Sequence, residues 1–486
     1  MSVSRLRTGQ DFLSDLRRSS RSIYVEGERV TNPADHPAFR EGARSLASLF
    51  DFAAARENRD VMTFPSPDSG APVWRCWQIP RSHADLRAKR IAAEKWAETS
   101  FGLMGRTPDH VANFFAGYAA KPRVFDKFSE NLLAFYRHAR DTHAYLSYAI
   151  VPPQIDRGKP AHRQKDPTLY AGVVRENDAG IFLSGGQQLA TAAVYSDYIQ
   201  VTCIHPLQPG DENYAFSVAI PTDTPGVRLY ARKPFALGAT NAHDYPLSSR
   251  FDESDCFVVL ENCFVPWERV FIYRNVEICR DQWWKTPAHL YGNHQAQARY
   301  AVKLRFLLGL AKRMNEATGN DATPPVMVDM GELAAYASIV ENMLYSHETI
   351  STIDEEGTCW PSKTALYSVM ALQARINPHM IDIVRELTGA GMITLPSSVK
   401  DYDNPQAAQD IDRFFQSASV GARERIALMR LAWDFIGTEF GSRHQQYEKF
   451  YGGASFLVKM NIFRNYDFKR ATAMVDRALK LPPLDE

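Results

Sequence analysis

The chain has 486 residues, which is enough for two or three domains with sizeable buried cores. Lys+Arg and Asp+Glu are equal at 56 each, so the net charge is zero, which argues against nucleic acid as the main partner. With 45% hydrophobic and 23% charged residues, no run of eighteen apolar residues and a basic, polar stretch from Met1 to Arg21, the composition predicts a cytoplasmic protein with no membrane span.

Residues 1–145 read as a mainly helical domain. Positions 84–99 are rich in Ala, Arg, Lys and Glu, and 124–142 carry apolar residues at helical spacing. The helix-like run 90–104 is expected to be broken by Gly105 and then Pro108. The turn Gly105-Arg106-Thr107-Pro108-Asp109-His110 sets a permanent cation and an imidazole four residues apart. That pairing suits an anionic or phenolic ligand; a plain surface turn is the competing account.

Residues 146–275 change character. Ile199, Val201 and Cys203 alternate with Gln200 and Thr202, and Phe216, Val218 and Ile220 alternate with Ser217 and Ala219. Pro209-Gly210-Asp211 and Pro225-Gly226 punctuate these runs, so a β domain is predicted, a barrel or a sandwich. The hairpin 207–214 reads either as a lid or as an ordinary exposed hairpin.

Residues 276–486 read as a helix bundle with a tail. Ala298, Val302, Phe306 and Leu310 form one apolar stripe, and Tyr300, Leu304, Leu308 and Ala311 a second, so this helix is buried on two sides. Further helices are expected over 327–352, 363–388 and 422–440. The six cysteines are scattered without a CxxC, and the histidine pairs 138/143 and 289/294 have the wrong spacing for one helical face. Reduced thiols and no metal are expected.

Helical domain, β domain, then helix bundle is an α+β order that resembles the acyl-CoA dehydrogenase architecture. There a flavin lies between the β domain and the bundle. Several motifs narrow the resemblance, in chain order: Leu146-Ser147-Tyr148-Ala149-Ile150-Val151-Pro152-Pro153-Gln154, Gly186-Gln187-Gln188-Leu189-Ala190-Thr191, Asp244-Tyr245-Pro246-Leu247-Ser248-Ser249-Arg250, Phe264-Val265-Pro266-Trp267-Glu268 and Gly437-Thr438-Glu439-Phe440-Gly441-Ser442-Arg443. With the turn at Arg106, these resemble the oxygenase component of the 4-hydroxyphenylacetate 3-monooxygenase and chlorophenol monooxygenase family.

The resemblance implies a two-component flavin monooxygenase. An NADH-dependent flavin reductase would deliver FADH2 by diffusion. This chain, a homotetramer, would react it with O2 and hydroxylate a small phenolic substrate ortho or para to its hydroxyl through a C4a-hydroperoxyflavin, with or without loss of a halide or nitro group. It also implies catalytic roles for Arg106, His110, Tyr148 and His294, flavin contacts from Arg106, Gln154, Thr191 and Arg299, and a ring pocket lined by Phe440, Phe450 and Tyr451. Each has a plainer structural reading: salt bridge, packed histidine, strand hydrogen bond or core aromatic.

Two positions depart from the family pattern. His110 stands where the hydroxyphenylacetate enzymes have a tyrosine, and Tyr148 where they have a histidine. The competing class is an acyl-CoA dehydrogenase or dehydratase-type flavoenzyme acting on a CoA thioester. The dehydrogenase would need a catalytic carboxylate over the substrate, and no segment matches its motifs; the dehydratase would need cysteines at the turn where this chain has Arg106 and His110.

Overall fold

The computed structural model describes residues 5–480. Helices come first, at Gly9–Arg18, Arg40–Ala54, His83–Glu98, Asp109–Ala120 and Ser129–Asp141. Two short strands, Ile23–Val25 and Glu28–Val30, lie among them and join the β layer, so the amino-terminal stretch is tied into the next layer.

The β layer holds two sheets. One has six strands in the order Glu28–Val30, Ile23–Val25, Val227–Ala231, Cys256–Pro266, Gly180–Gln187, Gly172–Asn177. The other has four: Val270–Tyr273, Phe216–Pro221, Tyr198–Thr202, Leu146–Ala149. The alternation read at 199–203 is a strand, but its polar residues are not on a wet face. Gln200 and Thr202 are buried and hydrogen-bonded, Thr202 to the Phe216 carbonyl at 2.7 Å.

The bundle follows, with Ala288–Thr318, Pro324–Thr349, Lys363–Thr388, Ala422–Ile436 and Glu439–Phe450 as its main helices. The long helix Ala288–Thr318 is buried nearly all round from Ala288 to Leu304, because the helices His83–Glu98 and Asp109–Ala120 pack on one side of it and the bundle on the other. One apolar cluster runs from Leu6 to Phe440, so the layers share a core.

Two boundaries differ from the sequence reading. The helix that starts at His83 ends at Glu98, ahead of Gly105. Its breaker is Gly102, at φ +71°, whose N–H caps the Ala97 carbonyl at 2.8 Å while its bare Cα passes the backbone of Lys303. The helix expected over 422–440 stops at Ile436 and restarts at Glu439 behind a Thr438 cap. The connection 207–214 is pinned rather than free. Buried Asp211 accepts from the backbone N–H and the ring of His162, both at 2.8 Å.

Candidate active site

The turn from Gly105 to His110 is buried throughout, which removes the surface-turn reading. It links the end of one helix to the start of another, and Pro108 occupies the N-cap of Asp109–Ala120, where a missing N–H costs nothing. Both backbone groups of Arg106 are fixed: its N–H donates to the Glu253 carboxylate, and its carbonyl accepts from the Tyr145 hydroxyl. Gly105 is glycine because any Cβ there would overlap the Tyr447 ring.

The Arg106 side chain is 9% exposed. It donates to the hydroxyl oxygen of Tyr148 at 3.0 Å and to that of Tyr447, and lies over both rings at 5.4 and 5.1 Å. Among the described residues it has no ion pair, an unusual condition for a buried guanidinium.

Tyr148 projects from the strand Leu146–Ala149 towards this group, while Ser147 points to the other face and bonds Ser196 at 2.8 Å. The Nε2 atom of His110 lies 3.4 Å from the Tyr148 hydroxyl, and its Nδ1 lies 2.9 Å from Gln295 Oε1. The two positions at which the sequence departs from the expected pattern, 110 and 148, are therefore in contact with each other. Burial, aided by Arg106, pushes the His110 pKa well below its ordinary value, so the imidazole is neutral. Phe114 stands edge-on to His110, Tyr148 and Trp283 at 5.3, 5.8 and 5.8 Å, which gives the group an apolar wall.

Of the residues expected at the site, Arg106, His110 and Tyr148 are brought together. Tyr451 joins through the stack of its ring on Tyr447 at 5.6 Å. Thr191 is linked at a distance: its hydroxyl donates to Asp255 at 2.7 Å, Asp255 pairs with Arg443, and Arg443 pairs with Glu253 behind Arg106. Gln154 is exposed, with one amide bond to the Pro152 carbonyl at 3.3 Å.

Of the other four, Arg299 stands behind Tyr447, its guanidinium over that ring at 5.2 Å, and His294, Phe440 and Phe450 have their contacts elsewhere. His294 is next to Gln295 on the long helix, but one residue of helix turns it by about 100°, away from the group. It faces Glu348 at 3.2 Å, which also pairs with Arg90. Arg299 is 1% exposed and committed to Glu448, which also takes Lys303 at 2.9 Å and Gln373 at 2.7 Å. Its two terminal nitrogens are taken by Glu448 and the Gly102 carbonyl, and its Nε has no hydrogen-bond partner among the described residues. Phe440 is core, edge-on to Phe235, and Phe450 is 46% exposed.

Tyr447, Glu253 and Gln295 escaped the sequence reading. Tyr447 lay inside the aromatic segment 440–451 without being singled out, and Gln295 lay inside a long apolar helix. A polar residue on such a helix, in register with the turn, was the available signal.

Both halves of the chain match the 4-hydroxyphenylacetate 3-hydroxylase family, the N-terminal part over residues 8–272 and the C-terminal part over 279–480. The 4-hydroxyphenylacetate 3-monooxygenase oxygenase component of Thermus thermophilus is 33% identical over 479 residues, 98% of each chain. The 4-nitrophenol 2-monooxygenase oxygenase component of a Rhodococcus species is 32% identical, over 97% of this chain and 90% of that one. A crystal structure of the oxygenase component of 4-hydroxyphenylacetate 3-monooxygenase with FAD and 4-hydroxyphenylacetate superposes with a TM-score of 0.92 at 33% identity, covering 98% of this chain and 99% of that one. By sequence over both halves and by fold over nearly its whole length, this chain belongs to the 4-hydroxyphenylacetate 3-hydroxylase family.

Proposed function

We infer that this chain is the oxygenase component of a two-component flavin monooxygenase that hydroxylates a phenol ortho or para to its hydroxyl, using reduced FAD and O2. One observation carries the substrate class: Arg106 is a buried cation whose guanidinium makes no salt bridge among the described residues, and its donors meet two phenolic hydroxyls. A buried unpaired guanidinium draws an anionic oxygen, and a phenolate supplies one of the type already bonded there.

In this reading Arg106 holds the phenolate oxygen, and the proton leaves towards the Tyr148 hydroxyl and His110 Nε2. Removing that proton loads charge onto the ortho and para carbons, the positions to be hydroxylated. Tyr447 holds the guanidinium fork in place, and Phe114 with Trp283 keeps water from the ring.

The residues present fit a flavin. Gln154 is exposed, its amide nitrogen donating to the Pro152 carbonyl at 3.3 Å. The bridge between Val151 and Gln188 sets exposed apolar Ile155 and Leu189 on neighbouring loops, a surface suited to a flat ring. Thr191 and Gln154 would hold it, and when bound reduced FAD supplies the oxygen-activating chemistry. Arg299 holds Glu448 in a buried ion pair, and His294 lies 3.2 Å from Glu348. A separate NADH-dependent reductase delivers FADH2 by diffusion. The apolar side chains of Phe456, Phe463, Met474 and Val475, exposed on the last two helices, support self-association, which this reading takes to be a homotetramer in the cytoplasm.

The CoA-thioester alternative asks for a free carboxylate over the substrate. Glu253, the carboxylate that touches Arg106, is spent on the Arg106 N–H and on Arg443 at 3.2 Å.

The test supplies reduced FAD and O2 to the purified chain with 4-hydroxyphenylacetate, chlorophenols, nitrophenols and indoles. A hydroxylated phenol is expected, with halide or nitrite release where that group sits at the attacked carbon. Formation of hydrogen peroxide alone with every phenol would overturn the assignment.

A further inference from the structure

A neutral imidazole carries its proton on one nitrogen only, and that choice decides which nitrogen can accept another. At His110 the choice is made two hydrogen bonds away, through Gln295 to Asp109. Oδ1 of Asp109 accepts from the Thr107 hydroxyl and from Gln295 Nε2, the latter at 3.1 Å. An accepting carboxylate oxygen repels an amide oxygen, so Gln295 must turn its nitrogen to Asp109. Its Oε1 then faces His110 Nδ1 at 2.9 Å and requires a proton there. Nε2 is left with its lone pair, aimed at the Tyr148 hydroxyl.

The alternative amide orientation has no support. The Thr107 hydroxyl is already given to Asp109, and its 3.4 Å approach to Gln295 Nε2 offers only a lone pair. The charged and titratable groups that face His110 are Arg106 from its own turn, Tyr148 from the strand and Arg299 from the long helix, with Asp109 behind Gln295. None of them competes for Nδ1.

We propose that Asp109 and Gln295 are positioning residues that lock His110 in its Nδ1–H tautomer, so that Nε2 receives the proton of the phenol group. The inference rests on the reading of the site given above. In the step, the phenol O–H bond breaks and an Nε2–H bond forms, directly or through the Tyr148 hydroxyl. The electron pair stays on the phenol oxygen beside Arg106, and the imidazolium is stabilised by Gln295 Oε1.

The charge on Asp109 is not what the lock uses. Burial raises its pKa to about 6, and its Oδ2 has no hydrogen-bond partner among the described residues, so Oδ1 alone does the orienting. An asparagine keeps that acceptor oxygen, and a leucine does not.

The test combines ring 15N shifts of histidine-labelled protein with product yield per FADH2 and its pH profile. Gln295→Met is expected to move the His110 resonances from the Nδ1–H pattern to a tautomer mixture. It should cut the hydroxylation yield at least about tenfold, part of the ~10²–10⁴ that general acid–base groups supply, with FADH2 affinity retained. Gln295→Glu places a second carboxyl beside Asp109 and makes the imidazole more basic, so the acid limb of the profile moves to higher pH. Asp109→Asn should lose at least tenfold less than Asp109→Leu. Should either Gln295 variant fold poorly, the Asp109 pair decides by the same readouts. An unchanged 15N pattern and acid limb in these variants, alongside lost hydroxylation in His110→Phe, overturns the lock and leaves the role of His110 standing. Parent yield in His110→Phe overturns both the lock and the acid–base reading beneath it.

Discussion

The unpaired charge of Arg106 is costly by itself. A buried guanidinium without a carboxylate depends on its hydrogen bonds, and here these come from the Gly105 carbonyl and two tyrosine hydroxyls. Such a cation is stabilised most when a ligand brings the missing negative charge. Arg106→Ala is therefore expected to lower product yield by about 10²-fold or more, the scale seen when an oxyanion donor is removed, while FADH2 is still oxidised to hydrogen peroxide. Arg106→Lys keeps the charge but not the planar fork, so it should recover only part of the yield. Product yield close to the parent in Arg106→Ala would remove Arg106 from the site. This residue and His110 were legible in the sequence because they share one turn. Their partners were not: Glu253 lies 147 residues from Arg106 and Tyr447 lies 341, distances at which local pattern carries no information.

Among the helices, the decisive contact is between Asp109–Ala120 and the long helix Ala288–Thr318. Two glycines permit it. A Cβ on Gly117 would run into the backbone of Ala288, and one on Gly292 into the ring of Phe114. The close approach sets Gln295 against His110. Gly117→Val should push the two helices apart, lowering stability by about 1–3 kcal/mol through overpacking and loosening the His110–Gln295 contact. Urea denaturation reads the first effect and the histidine 15N shifts read the second; a parent-like midpoint would mean the helices have room to spare. Element type was readable where period and length agreed, as in 363–388. The three-residue strands Ile23–Val25 and Glu28–Val30 were not, because so short a run has no period and takes its form from the sheet it joins. Helix ends also failed where tertiary contact set them. Gly102 stops its helix because the long helix leaves no space for a side chain there, and nothing local distinguishes it from Gly105.

At the scale of the whole molecule, burial controls how the protein responds to acid. Five of its histidines, His110, His143, His289, His347 and His444, are enclosed in the shared core, and burial lowers the pKa of each. His143 and His289 fall to about 4 and His347 to about 3. In the unfolded chain each titrates near ~6.5. Between those values the unfolded state binds protons that the native state does not, so stability rises with pH and is lost as pH falls below ~6.5. Each such proton contributes a slope of about 1.4 kcal/mol per pH unit. Asp109 works in the opposite direction: with a native pKa of about 6 it holds a proton that the unfolded chain has released, and it offsets one histidine between pH ~4 and 6. The buried carboxylate of Glu448, held down to about 2 by Arg299 and Lys303 against the cost of burial, adds acid sensitivity only below its unfolded pKa of ~4.3. The loss should therefore begin near pH 6, above the carboxylate range, and the urea midpoint should fall between pH 7 and pH 5. His444 offers the cleanest check, since among the described residues neither ring nitrogen has a hydrogen-bond partner, and its ring packs edge-on to Phe440 at 4.4 Å. His444→Phe keeps the aromatic packing and removes one titrating group, so the midpoint should depend less on pH in the variant; equal slopes in parent and variant would place the acid response elsewhere.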